Sequence, residues 1–219
     1  MIQGMIFDFD GTLFDSMSVW DGAAENYLAS IGRVAAEDLQ SVLKPMSLYQ
    51  SAAYIREKCR IPNSVQEIMT GINRTVEGFY FHSIEPKPGV CAFLEALSLK
   101  GMRMCIATAA DRYQVTAALK RCGMDRHFSE IMTCTEVGCG KDQPVIFREA
   151  MAHLGTDRSN TLILEDAWHA VRTAKEDGFL VAGVYDAHEN MQNCMRKAAD
   201  IYLRDYLDLD HFWRFVLAG

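Results

Sequence analysis

The sequence predicts an α/β fold in which a parallel sheet is flanked by helices and carries a helical insert after its first strand. The chain opens with an apolar run that ends in two acids, Asp8 and Asp10. From residue 88 onward, helical and strand patterns alternate, which is typical of a parallel sheet covered on both faces. Between these parts the chain has helical periodicity without a strand. We therefore expect a core of residues 1–15 and 86–219, and a helical cap of residues 16–85.

Composition and charge restrict the class of protein. The 219 residues are 49% hydrophobic and 23% charged, as in an ordinary soluble globular protein. The formal net charge of −7 and the lack of a Lys/Arg block argue against nucleic acid or an anionic membrane as a partner. Since no apolar stretch is long enough to span a bilayer and no signal segment precedes the first strand, a cytoplasmic protein is expected. The seven cysteines form no Cys-x-x-Cys pair, so we expect reduced thiols.

The first strand brings two carboxylates to one side. In an extended chain, residues i and i+2 point the same way, so Asp8 and Asp10 share one face while Phe7 and Phe9 share the other. Two like charges so close repel unless a shared proton or a divalent ion such as Mg²⁺ relieves them. A strand that merely ends in a turn explains one Asp and Gly11, but not a second acid within an apolar run.

The insert is expected to contain four helices. Apolar residues recur at helical spacing over residues 23–31, in a segment after Ala35, over residues 52–59, and from Ser64 to about His82. Pro86 and Pro88 mark a connector back to the core. Because the insert begins directly after the acid pair, it can lie over the site.

The remaining chain supplies the rest of the sheet and its covering helices. Alternating patterns predict strands at 102–107, 130–134, 161–164, 179–184 and 201–203, and helices at 90–100, 113–121, 144–154, 168–177 and from about 206. We expect the strands to be parallel and the helices to cover both faces.

Three further positions gather where ligands of such sheets bind, beyond the carboxyl ends of the strands. Thr108 ends an apolar strand and is either a simple helix cap or a donor to a phosphate oxygen. Lys141, on a loop after Gly138 and Gly140, is either solvated or neutralises a phosphoryl group. The Glu165-Asp166 pair follows a buried strand, where a metal or a salt bridge must offset its charge.

These motifs resemble those of the haloacid dehalogenase superfamily. The stretch Asp8-Phe9-Asp10-Gly11-Thr12 is similar to its motif I, Thr108 to its phosphate-binding Thr or Ser, Lys141 to its motif III lysine, and Glu165-Asp166 to its motif IV acids. The insert looks like the small cap of the subgroup that includes phosphoglycolate phosphatases, sugar-phosphate phosphatases and β-phosphoglucomutase. The resemblance implies a Rossmann-like core and a monomer.

The resemblance also implies roles for individual residues. Asp8 would be the nucleophile and Asp10 the general acid/base, and Mg²⁺ would bind the Asp8 side chain, the Asp10 carbonyl and Asp166, with Glu165 close by or acting through water. Catalysis would also use Thr108 and Lys141. Candidate substrate-binding residues are Thr108, Ala109, Lys141 and, in the cap, Lys44 and Trp20. The implied activity is hydrolysis of a small phosphorylated metabolite through an aspartyl-phosphate.

Several positions depart from the family pattern and leave alternatives open. Motif III continues Asp142-Gln143-Pro144 instead of having Pro directly after the lysine, and Ala170 replaces a Gly after the motif IV acids. In the cap, Pro45 replaces a common Gly, and Leu48 stands where the phosphomutase has an arginine that grips a second phosphate. A phosphomutase and a non-catalytic metabolite-binding protein therefore remain alternatives. Dehalogenation is disfavoured, because dehalogenases of this superfamily lack an acid at the position of Asp10.

Overall fold

A six-stranded parallel sheet forms the centre of the molecule. The computed structural model describes residues 1–43, 46, 48–207 and 209–217. In chain order the strands are β1 Gly4–Phe7, β2 Phe14–Asp15, β3 Glu85–Pro86, β4 Arg103–Thr108, β5 Ile131–Thr133, β6 Thr161–Glu165, β7 Leu180–Val184 and β8 Ile201–Leu203. The large sheet has the order β5-β4-β1-β6-β7-β8, while β2 and β3 form a separate antiparallel pair. The predicted α/β class with a parallel sheet is confirmed.

Register brings the predicted acids to one edge. The last residue of β1, Phe7, lies opposite Ile106 of β4 and Leu164 of β6. Chain residues that follow these positions leave the sheet on the same side, because the three strands run parallel. The motif residues at 8, 108 and 165 therefore emerge close together.

Helices fill the long connections. Within the insert they are α1 Met17–Trp20, α2 Ala23–Ser30, α3 Leu39–Leu43, α4 Leu48–Lys58 and α5 Val65–His82. The later ones are α6 Val90–Leu99, α7 Arg112–Arg121, α8 Cys134–Val137, α9 Val145–Leu154, α10 Trp168–Glu176, α11 Gln192–Ala198 and α12 Asp210–Leu217. The longest, α5, begins with a capping box, since the Ser64 hydroxyl accepts from the Glu67 N–H and Glu67 accepts from Ser64 N–H.

The sheet is buried on both faces. Alternate residues of β1 belong to different apolar clusters, Met5 and Phe7 to one and Ile6 to the other. On the first face, Phe93 of α6 packs against Phe7, Tyr206 and Phe212, with ring centroids 6.3, 5.1 and 4.9 Å away. This continuous apolar character of the strands is what a parallel sheet requires.

The insert joins the core through β2 and β3. Phe14 pairs with Pro86, and the Lys87 N–H donates to Leu13 O over 2.9 Å. The Lys87 ammonium is fixed in turn by Asp186, 2.9 Å away, beyond the end of β7. The connecting chains are thus tied to each other and to the sheet edge, although the division at residues 15 and 86 into two domains stays a prediction.

The last insert helix also packs directly on the core. Helix α5 contacts α7, and the buried Gln114 side chain donates from Nε2 to Asn73 O over 2.8 Å. Because a buried amide without this partner would lose a hydrogen bond, the contact favours one placement of α5 on α7.

The structure corrects the sequence-based elements in several places. The final helix begins at Asp210, not near Tyr206, because the Tyr206 ring is buried with its hydroxyl bonded to Thr12 O, and Asp205 accepts from Leu207 N in a turn. The predicted strand over residues 130–134 stops at Thr133, which caps α8 instead. The short elements α1, α8, α11, β2 and β3 were not predicted, because so few residues carry little periodicity. The four insert helices that were predicted are confirmed as α2 to α5.

No helix within the described ranges combines the length and hydropathy needed to cross a membrane.

We expect Phe93→Ala to destabilise the core. The side chain is 1% exposed among aromatic rings, so its removal leaves a cavity and should lower the free energy of unfolding by about 3–5 kcal/mol. Leu99→Ala on the same helix is the matched control, because Leu99 is 81% exposed; a change below about 0.5 kcal/mol is expected there. Urea unfolding followed by circular dichroism measures both, and equal losses would contradict the proposed packing.

Candidate active site

Asp8 begins the site as the first residue after β1. Its N–H donates to Leu164 O over 3.0 Å, which extends the strand pairing by one residue and fixes the backbone. Its carboxylate is 7% exposed and contacts the Lys141 ammonium. Burial and the charge of Glu165 raise the pKa of Asp8 to about 6, while Lys141 opposes that rise. The contact with the Lys141 ammonium offsets part of the desolvation cost of a buried, ionised Asp8.

Lys141 is the cation at the centre of the cluster. It lies on the loop after α8, is 5% exposed, and its Nζ also lies 2.8 Å from Glu165 Oε1. Burial acts against its charge, but Asp8 and Glu165 raise the pKa of Lys141 above its usual range. Of the two readings left open by the sequence, a solvated lysine is therefore wrong for this structure.

Glu165 holds the lysine rather than facing open solvent. This last residue of β6 accepts from Lys141 at Oε1 and from the N–H groups of Asp166 and Ala167 at Oε2, over 2.8 and 3.1 Å. Both of its oxygens are thus occupied by protein donors. The geometry fits a residue that positions Lys141 more closely than one that binds an ion directly.

Asp166 lies against the motif I turn. Its Oδ1 accepts from the Thr12 hydroxyl over 3.0 Å. Its Oδ2 lies so near Gly11 that a Cβ there would be 2.2 Å away, and Gly11 has φ +78°. Only glycine adopts this conformation at low cost and leaves room for the carboxylate. The glycine after Asp10 is thus required by Asp166, far away in the sequence.

Three buried acids lie close together, and Asp8 and Asp166 fit the direct ligands of a divalent cation, with Glu165 beside them. Carboxylate oxygens of Asp8, Glu165 and Asp166 lie within 4.8 Å of one another. Burial and the charges of Glu165 and Asp8 raise the pKa of Asp166 well above its usual range, so its ionised form is disfavoured until a cation offsets the neighbouring charges. Oxygen-only ligands of high charge suit a hard ion such as Mg²⁺.

Asp10 lies in different surroundings from Asp8. It is partly exposed, and its Oδ1 accepts from the Ser16 hydroxyl and from the Tyr80 hydroxyl, each over 2.6 Å. Burial raises the pKa of Asp10 to about 6, against the lowering effect of these two hydrogen bonds. Burial and the Asp10 charge raise the pKa of Tyr80, so its hydroxyl stays a neutral donor.

Thr108 and Ala109 lie where the sequence places them, at the end of β4 beside β1. The Thr108 hydroxyl is buried and accepts from the Ala110 N–H over 3.0 Å, so it shapes the turn into α7. Ala109 is exposed at this turn. The hydroxyl thus closes a turn, while Asp111 is the cap of α7, and the contact of Thr108 with a phosphate stays a prediction.

Of the two candidate substrate-binding residues in the cap, Trp20 lies within the described residues. Trp20, at the end of α1, packs edge-on against the Tyr80 ring with centroids 6.5 Å apart, and thus lies one side chain away from Asp10. Lys44 and Pro45 lie outside the described residues. The Leu48 position begins α4.

Sequence reasoning missed Ser16 and Tyr80 as partners of Asp10. Tyr80 falls on the apolar stripe of a predicted helix, so its ring was assigned to packing and its hydroxyl was not considered. Ser16 was available from its closeness to the acid pair. The need of the Asp10 carboxyl for donors could have pointed to Ser16, whereas no local signal points to Tyr80, which is 70 residues away in the sequence.

Comparison with known proteins shows the family of the chain. A model of the haloacid dehalogenase-like hydrolase family matches residues 5–184, which contain all four motifs. The phosphorylated carbohydrates phosphatase of Thermotoga maritima is 22% identical over 177 residues, covering 81% of this chain and 82% of that protein. Pyrophosphatase PpaX of Bacillus velezensis is 26% identical over 216 residues, covering 96% and 95%.

A solved structure shares the fold. CbbY from Rhodobacter sphaeroides, in complex with phosphate, superposes with a TM-score of 0.82 at 21% identity, over 96% of this chain and 97% of that one. The likeness extends over the sheet and the insert together, since nearly the whole chain is covered.

Lys141→Met should make stability fall more steeply with rising pH than in the wild-type protein. Without the ammonium, the buried carboxyls have folded-state pKa values above their unfolded values, so stability is lost as pH rises. In chelator-treated protein we expect a deficit of about 3–5 kcal/mol near pH ~8 that shrinks toward pH ~5. Urea unfolding at both pH values measures it, with the exposed Lys120→Met as control. A deficit of equal size at the two pH values would contradict the proposed role of Lys141 in offsetting the charge of the buried carboxylates.

Proposed function

Because the chain belongs to the haloacid dehalogenase-like hydrolases, we propose that it is a Mg²⁺-dependent phosphatase of a small phosphorylated metabolite. The observation that carries the proposal is the buried contact of Asp8 with Lys141, beside Glu165 and Asp166. A carboxylate held next to an ammonium, at the carboxyl ends of parallel strands, is placed to attack an anionic phosphoryl group. The phosphatase names of the two curated relatives agree with this class of reaction.

The first step transfers the phosphoryl group to the protein. An oxygen of Asp8 forms a bond to phosphorus as the bond from phosphorus to the ester oxygen breaks. Asp10, in its acid form, gives its proton to that leaving oxygen, so an alcohol departs. Lys141 remains protonated and offsets the charge of Asp8 and of the phosphoryl oxygens.

The second step regenerates the protein. Asp10, now a carboxylate, takes a proton from water as the water oxygen bonds to phosphorus and the bond from phosphorus to Asp8 breaks. Phosphate leaves, and both aspartates return to their starting states. The Thr108 hydroxyl and the exposed turn at Ala109 are proposed to receive phosphoryl oxygens, since they lie at the adjoining strand end.

The metal would be held by Asp8, Asp166 and the Asp10 carbonyl, with Glu165 supporting through Lys141 and nearby N–H groups. When bound, Mg²⁺ supplies positive charge that offsets the carboxylates and the phosphoryl oxygens. The chain itself holds the nucleophile Asp8, provides the acid Asp10 and positions Lys141.

The substrate class is proposed as a phosphate ester of a small metabolite, with sugar phosphates first. The Thermotoga relative is named for phosphorylated carbohydrates, whereas PpaX is named as a pyrophosphatase, so an anhydride belongs in the same test. A panel of sugar phosphates, phosphoglycolate, nucleotides, pyrophosphate and an aryl phosphate distinguishes these. Isomerisation that requires a bisphosphate primer, without phosphate release, would indicate a phosphomutase instead. Tight binding of a metabolite without turnover would indicate a binding protein.

We expect Asp8→Asn to abolish phosphate release from every ester that the wild-type protein cleaves. Loss of the nucleophile should lower kcat at least about a thousandfold. Acid-quenched wild-type protein should carry one phosphoryl group on Asp8 during turnover, detected by mass spectrometry. The exposed Asp125→Asn is the control and should retain activity. Undiminished turnover in Asp8→Asn would contradict the proposed mechanism.

Mg²⁺ should stabilise the protein through the acid cluster. At an ion concentration about a hundredfold above Kd, binding adds about 2.7 kcal/mol to the free energy of unfolding. This gain should be lost in Asp166→Asn and kept in Asp125→Asn, as measured by urea unfolding with Mg²⁺ or with chelator. A full gain in Asp166→Asn would place the ion elsewhere.

A further inference from the structure

The Asp10 carboxyl is held by two hydroxyls that both bond to the same oxygen. Ser16 Oγ and Tyr80 OH each lie 2.6 Å from Oδ1. We propose that Tyr80 is a positioning residue, which together with Ser16 orients the Asp10 carboxyl so that Oδ2 meets the leaving oxygen of the substrate. The inference rests on the proposed function, because it concerns how that reaction moves its proton.

Bonding at one oxygen gives the carboxyl a direction. Rotation about the Cβ–Cγ bond would carry Oδ1 away from both donors, at the cost of two short hydrogen bonds. An oxygen that already accepts twice is also a poorer proton carrier than its neighbour. The proton that is given to the leaving group, and later taken from water, is therefore carried on Oδ2.

The Tyr80 hydroxyl is itself fixed by packing. The side chain is fully buried, and its ring stacks on Phe9 with centroids 6.0 Å apart and an interplanar angle of 19°. Phe9 stacks in turn on Phe14 at 4.5 Å, while Trp20 packs edge-on against the Tyr80 ring. Because the ring cannot shift without disturbing this stack, the hydroxyl is already in place before substrate arrives.

The two donors come from the two chain segments that connect the insert to the sheet. Ser16 follows β2, and Tyr80 lies near the end of α5, just before β3. Asp10, in the turn that follows β1, is thus oriented from both connections at once, over a separation of 70 residues in the case of Tyr80. The position of α5 on the core therefore helps to set the orientation of the Asp10 carboxyl, whether or not α5 also contacts the substrate.

The test compares two leaving groups. An alkyl phosphate needs a proton on its leaving oxygen, whereas dinitrophenyl phosphate releases a stable phenolate without one. Tyr80→Phe keeps the aromatic stack and removes only the hydroxyl. For the alkyl ester that the wild-type protein cleaves, we expect kcat/KM to fall roughly tenfold to a hundredfold, and for dinitrophenyl phosphate by less than about threefold.

Controls separate positioning from general loosening. Tyr27→Phe removes a hydroxyl from another buried tyrosine of the insert, whose ring packs at Gly71, and should leave both esters unaffected. Ser16→Ala should repeat the selective loss with the alkyl ester. The Mg²⁺-dependent gain in unfolding free energy should be the same in Tyr80→Phe as in wild type, because that variant leaves the acid cluster intact.

The outcomes distinguish the two proposals. A selective loss with the alkyl ester supports the role of Tyr80. Equal losses with both esters, or none with either, would overturn that role while leaving the phosphatase intact. Failure of the wild-type protein to cleave any ester would overturn the proposed function and this inference together.

Discussion

The constraint on which the site depends is the burial of three neighbouring carboxylates with one ammonium, which contacts two of them. Asp8, Glu165 and Asp166 are buried at the ends of two apolar strands, and Lys141 reaches Asp8 and Glu165 from a loop. Removing such charges from water costs on the order of several kcal/mol per ion unless protein partners replace the solvent. The surrounding structure supplies those partners, with N–H groups on Glu165 and a hydroxyl on Asp166. Negative charge still exceeds positive charge, which is why the cluster is suited to a cation.

The turn after Asp8 separates two neighbouring acids into different surroundings. Gly11, with its positive φ, lets the chain bend close to Asp166, and Leu13 and Phe14 close the turn by donating N–H groups to Phe9 O. The bend carries Asp10 out of the charged cluster and toward the insert. Two carboxylates only two residues apart in sequence thus meet an ammonium in one case and two hydroxyls in the other.

The sequence predicted well the parts of this site that depend on strand ends. The apolar runs before Asp8, Thr108 and Glu165 identified parallel strands, and parallel strands bring their carboxyl ends to one edge whatever the details of packing. Lys141 could be named from its loop, but its burial depends on the path of that loop across the sheet, which no local pattern encodes. Tyr80 lay beyond sequence reasoning for a related reason. Helical periodicity assigns its ring to the interior, while the target of its hydroxyl is set by how α5 sits on the core.

Under the proposed function, one aspartate must be ionised while the other carries a proton, and the different partners explain how. The pKa of each is raised to about 6, so burial by itself does not assign the roles. Asp8 is a member of the carboxylate cluster, so a cation bound there favours its ionised form. The Asp10 carboxyl is turned toward Ser16 and Tyr80, whose neutral hydroxyls stabilise a carboxylate less than a full charge does. Ion binding should therefore lower the pKa of Asp8 more than that of Asp10, which leaves a nucleophile beside an acid.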